Sequence, residues 1–282
     1  MKHPIDPKVD CVFKALLGSE ENCALLVHFL NAILASDLSA PISTVELLNP
    51  YSDREFLEDK LSIVDVKARD TRNQLYQVEI QLRSFRHLHN RVLYNWADIY
   101  SQQLQRGSDY RLLKPTYAIW LLGENLIQTD SDYRHIYQFR DEQARILMNH
   151  GGIWLLELEK FSVQRIENEQ QRWLQFFKDG EKLDDTMLPD WMTTPEMRQA
   201  MSTIQRFSEK ERDYYAYQAR QEFIRQQRAI QWDIEQTLQE KEEELKEKEK
   251  ALQEKDHALQ EKDLEIERLK ARLAASGYSD PT

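Results

Sequence analysis

Two acidic residues, Asp65 and Glu79, stand in short apolar segments separated by a polar turn, LSIVDVKA (61–68), RDTRNQ (69–74) and LYQVEIQL (75–82). Both flanking segments read as strands, and together they form a hairpin. Alternation then puts Leu61, Ile63, Asp65 and Lys67 on one face of the first strand and Gln77, Glu79, Gln81 and Arg83 on one face of the second. If the turn is centred on Arg72, Asp65 lies across from Glu79 and Lys67 across from Gln77. A slip of one residue separates the acids, and a bulge could reunite them. Two carboxylates at about 5 Å repel unless they share a proton or a cation. Mg²⁺, with Mn²⁺ as a substitute, is the economical partner, because it takes carboxylate oxygens and keeps waters. A bound water is a better nucleophile, and the metal offsets charge building on a phosphate, so this chemistry would be phosphodiester hydrolysis. Gln81 would orient the water and Lys67 would stabilise the developing charge. The competing reading places Asp65 and Glu79 on a solvated sheet face, with Lys67 and Arg83 as ion-pair partners. An Asp, a gap and a Glu-x-Gln also occur by chance in many proteins.

The elements that must position these residues are a mixture of helices and strands. Asp10–Leu17 and Glu20–Leu34 show helical apolar spacing, with Ser19 as N-cap of the second, and Leu88–Gln105 reads as a long amphipathic helix. Thr116–Leu122 reads as a buried strand, and Tyr133–Gln138 and Ile153–Leu158 as two more. Between 169 and 232 the spacing is helical again, broken by Gly180, Pro189 and Pro195.

Several stretches carry a family resemblance: DPKVDCVFKALLGSEEN and HFLNAIL, then VELLNP, the strands SIVDVKARD and YQVEIQL, RVLYNWADIYSQQLQRG, and YRLLKPTYAIWLL. In this order they resemble the PD-(D/E)XK nuclease family transposases, also called the Rpn family of recombination-promoting nucleases, over residues 4 to about 161. The resemblance implies an α/β fold with a PD-(D/E)XK restriction-endonuclease-like core, a small mixed sheet flanked by helices. It also implies a metal-dependent DNA endonuclease linked to recombination or mobile elements. Carried over, Asp65 matches the first acidic metal ligand and Glu79 the second. Gln81 stands at the position usually held by lysine, and glutamine cannot supply positive charge. Lys67, on the same expected face, could supply it. Asp10 resembles an acid that some members of the wider superfamily add to the metal shell; its simpler role is that of a first-turn acid on a helix.

The chain holds 38 Lys and Arg against 49 Asp and Glu, a net charge of -11, so any DNA contact must use a local patch. Arg83, Arg86, His87, His89 and Arg91 form such a patch, continued by Arg106, Arg111 and Lys114, and Arg83, Arg86 and Arg91 are the candidate phosphate contacts. His87 and His89 have no evident third partner for zinc. Cys11 and Cys23 read as core thiols. No apolar run approaches membrane-spanning length, and the opening MKHPIDPKVD has no apolar signal region, so a cytoplasmic protein is expected.

The expected organisation is a nuclease-like domain at 1–165, a helical annex at 166–234, a heptad helix at 235–273 and a disordered tail at 274–282. In the third part Leu238, Leu245, Leu252, Leu259, Ile266 and Leu273 recur every seventh residue. The second seam position is charged in either register, so both weak parallel self-association and a lone charged helix fit. With self-association, a second function is open: a catalytically inactive nuclease-like module acting as an oligomeric binding or scaffolding protein.

Overall fold

The computed structural model describes residues 4–49, 65–183 and 187–275. Six strands form one mixed sheet in the order β1-β2-β3-β4-β6-β5. They are β1 (Val45–Leu47), β2 (Val66–Asp70), β3 (Leu75–Gln81), β4 (Thr116–Leu122), β5 (Arg134–Tyr137) and β6 (Gly151–Glu157). β1, β2 and β3 are antiparallel; β3, β4 and β6 run parallel; β5 closes the far edge antiparallel to β6. The central strand β4, TYAIWLL, is buried at every residue, as an unbroken apolar run between parallel neighbours requires. β6 starts on Gly151, whose φ is +86°, and a Cβ there would lie 2.1 Å from the Thr116 carbonyl oxygen. Only glycine lets the two backbones come this close.

One layer of helices comprises α1 (Asp10–Leu17), α2 (Cys23–Leu34), α4 (Glu169–Asp179) and α5 (Pro195–Glu209). Their apolar stripes share a core with Tyr76, Val78 and Ile80 of β3. Trp173 of α4 meets Phe29 of α2 edge-on at 5.5 Å, so the helices expected as an annex are built into the same core as the N-terminal pair. The opposite face carries α3 (Leu88–Ser101), where Leu88, Val92 and Trp96 cover Ala118, Trp120, Leu122, Ile153 and Leu155.

Several boundaries differ from the sequence expectation. The helix expected from Glu20 opens as a 3-10 turn at Glu20–Asn22, and Ser19 makes no capping bond. The side chain of buried Asn22 donates instead to the Ala15 carbonyl, tying the turn to α1. α3 stops at Ser101, because Gln103 leaves the helix and clamps Lys114 and Thr116 through three hydrogen bonds of 2.9–3.0 Å. β1, three residues long, escaped the sequence reading. β2 runs to Asp70, and residues 61–64 of the expected strand lie outside the described residues. Cys11 and Cys23 are free and half-buried, and Cys11 packs against the main core.

The chain divides into two compact units at Arg220, within the 65-residue helix α6 (Glu211–Ala275). In the second unit the heptad residues Leu238 to Leu273 are all exposed, Leu252 by 60%. Residues from 276 onward of the expected tail lie outside the described residues. Among the described residues, no helix is long and apolar enough to cross a membrane.

Candidate active site

The β2–β3 hairpin sets the site. Asp70 closes its turn: its carboxylate accepts the backbone N–H groups of Arg72 and Gln74, each at 2.9 Å, and Asn73 takes the left-handed φ of 61° that asparagine tolerates. The resulting register pairs Val66 with Val78 and Lys67 with Gln77. One step further, Asp65 stands opposite Glu79 at the point where the ladder ends. There the Asp65 Oδ2 accepts the Ile80 N–H at 3.0 Å, in place of a strand partner. The two acids therefore reach the same end of the hairpin.

Their environments differ. Glu79 is 2% exposed, at the interface of β3 and α3. Burial, and next the negative charge of Asp65, push its carboxyl up to about 8, opposed by Arg91 and a hydrogen bond from Gln77. The Gln77 amide donates to Glu79 Oε1 at 3.2 Å. Asp65 is less enclosed and pairs with Lys14 of α1, whose Nζ lies 3.2 Å from Oδ1.

Arg91, in the second turn of α3, is the cation of the buried side. One guanidinium nitrogen donates to Gln81 Oε1 at 3.1 Å, another stands 3.8 Å from Glu79, and the group lies over the Trp120 ring at 5.5 Å. Gln81 is thus committed at both ends, since its amide nitrogen donates to the Arg83 carbonyl at 2.8 Å. It positions Arg91, rather than holding an amide free to orient a water. Lys67 shares the carboxylate face, but its Nζ contacts Gln102 at 3.4 Å, and the lysine that pairs with Asp65 is Lys14. Sequence reasoning missed Lys14. Its signal was a lone basic residue four after Asp10 on a short amphipathic helix, which reads equally well as a solvated position.

Asp10 lies in the first turn of α1 and pairs with Arg220 at 3.2 Å. In the basic turn, Arg83 is bound to Glu124, whose other oxygen also takes the Ser84 N–H at 2.8 Å. Arg86, His87 and His89 lie at or beside the start of α3. The Arg83–Arg86–Arg91 run is therefore split, with Arg83 tied to a loop acid and Arg91 to the site itself.

A family model for PD-(D/E)XK nuclease family transposases matches residues 7–233. The chain belongs to this family. No curated protein and no solved structure matches it. The match extends past 165 through the helices α4 and α5, in keeping with their place in the common core.

Nucleases of this family type generally use divalent metals, and the donor set fits one. Among the described residues no group of three or more His, Cys, Asp or Glu side chains converges, so the site offers two carboxylates and leaves the remaining positions to water and substrate oxygens. An open pair of carboxylates fits a divalent cation that takes oxygen ligands. The Gln77 side-chain oxygen, fully buried beside Glu79, has no hydrogen-bond partner among the described residues. A hydrated cation on Glu79 would bring donors to such an acceptor.

Proposed function

We propose that this protein is a metal-dependent DNA endonuclease that hydrolyses phosphodiester bonds in recombination or mobile-element biology. The observation that carries the reading is the hairpin register, which brings Asp65 and the buried Glu79 to one end of the hairpin in a chain of this nuclease family. Asp65 and Glu79 would hold Mg²⁺, or Mn²⁺ in its place. When bound, such an ion supplies an activated water and offsets charge on the scissile phosphate.

The chain's own residues do the rest. The Ile80 N–H fixes the Asp65 carboxylate, and Gln77 fixes that of Glu79. Gln81 holds Arg91 in position, so a fixed guanidinium supplies the positive charge that glutamine, at the position usually held by lysine, cannot. Lys14, beside Asp65, is a second cation able to face the phosphate. Lys67 is a third, set further along β2.

Supercoiled-plasmid nicking with Mg²⁺ or Mn²⁺ tests this. Asp65→Ala and Glu79→Ala should each abolish nicking. Full cleavage by Lys67→Met would remove the catalytic role for that lysine and leave Lys14 and Arg91 as the cations at the site.

A second reading has its own support. Lys14 with Asp65 and Arg91 with Glu79 can balance the two carboxylates without a metal, and the exposed heptad leucines offer a seam for a second copy. On that reading the protein is an inactive nuclease-like module that assembles through its tail. Nicking that is absent, or that needs no metal, favours it.

A further inference from the structure

Beside the hairpin lies a cavity of about 1260 Å³, between β2 and the loop that follows α3. Its floor is apolar, formed by Leu75 and Ile99, while Lys67, Arg69, Arg106 and Lys114 stand around it. Among the described residues, no acidic one lines it. Such a cluster stands out in a chain whose acids outnumber its bases, and in which other arginines of the first unit are paired: Arg72 with Asp70, Arg83 with Glu124, Arg111 with Asp109, Arg145 with Asp141. Among the described residues, no carboxylate lies within ion-pair distance of Arg69, Arg106 or Lys114. Holding like charges together around an apolar floor costs stability, so the arrangement points to a polyanion.

The cavity joins the carboxylate site through one residue pair. Lys67 faces Gln77 across the hairpin, and the Gln77 amide touches Glu79. Two positions along a strand span about 7 Å, so an anion at Lys67 is a near neighbour of a group at Glu79. Among the described residues no aromatic ring lines the cavity, so they offer no platform on which unpaired bases would stack. Side chains that contact phosphate alone read backbone and not sequence.

We infer that this groove binds the sugar-phosphate backbone of duplex DNA as it leaves the carboxylate site, without reading bases. The inference rests on the nuclease reading above and adds to it the surface that holds substrate. Arg69, Arg106 and Lys114 are its anchors, and they replace part of the field that Arg83 and Arg91 spend on Glu124 and Glu79.

The test is fluorescence anisotropy of a short labelled DNA duplex with the full chain in EDTA, titrated with KCl, beside plasmid nicking with Mg²⁺. The triple variant R69A/R106A/K114A should bind at least tenfold more weakly, with a log–log salt slope shallower by about two to three, as loss of three phosphate contacts implies. R106E alone should weaken binding, and R145A, whose charge is already paired, should not. Thermal melts confirm that each variant is folded. If the triple variant binds with the wild-type affinity and slope while wild type nicks plasmid, the groove assignment is overturned and the nuclease reading stands. If wild type neither binds DNA nor nicks it, both fall. Tighter binding of an unpaired strand than of the duplex by wild type, lost in the triple variant, overturns the duplex assignment alone.

Discussion

The two faces of β3 are built to different rules. Tyr76, Val78 and Ile80 enter a continuous apolar core with α1, α2, α4 and α5. Gln77, Glu79 and Gln81, alternating with them, face α3, and there the helix answers with Arg91 and its neighbours, not with leucine alone. The first face stabilises the fold through area removed from water. The second buries a carboxylate whose desolvation costs stability, a cost that a binding function would explain. One strand thus carries the scaffold on one side and the proposed site on the other.

Exchanging the demands on the two faces should separate stability from activity. Glu79→Gln keeps shape and removes charge. We expect nicking to fall by at least about 10²-fold, the scale of losing a fixed electrostatic group, with a metal-free melting temperature equal to or above wild type at pH 8. A lower melting temperature would show that the carboxylate is structural. Leu121→Ala, in the fully buried central strand, should do the reverse: about 2–5 kcal/mol of stability lost, with nicking per folded molecule retained.

The pH dependence sharpens the contrast further. Glu79 titrates at 4.5 when unperturbed and at about 8 in the fold. Between those values the native state keeps a proton that the unfolded chain has released. Its contribution to stability is therefore full below pH 4.5, falls as pH rises through the window, and is lost above about 8. Wild type should lose melting temperature across this range more steeply than Glu79→Gln in EDTA. Added Mg²⁺ should restore more at pH 8 than at pH 6, because the ion takes the proton's place. Parallel curves for the two proteins would mean that Glu79 is ionised throughout.

The smallest effect on chemistry is expected at the tail. Deleting the chain from 235 onward should lower the mass in solution if the exposed heptad leucines join copies, and leave nicking per active site unchanged. An unaltered mass would defeat self-association.

Much of this was legible in the residues. α1 and β4 fall where periodicity and an apolar run put them, and the hairpin register follows from a turn centred on Arg72. The cations were not legible. Lys67 and Lys14 look alike in a sequence; one shares the carboxylate face by alternation, yet the other, from α1, makes the contact with Asp65. Arg83 and Arg91 likewise read as one basic run, until Glu124, from a loop some forty residues on, claims the first.

Local patterning by itself determined the α/β class, the hairpin, the two acids and the heptad helix, since each depends on side-chain alternation or helical period over a few residues. Tertiary structure decided which cations meet the acids, that α4 and α5 complete the N-terminal core, and that Arg69, Arg106 and Lys114 surround one groove. Those outcomes depend on which distant segments pack together, and charge acts through space at distances that chain order does not record.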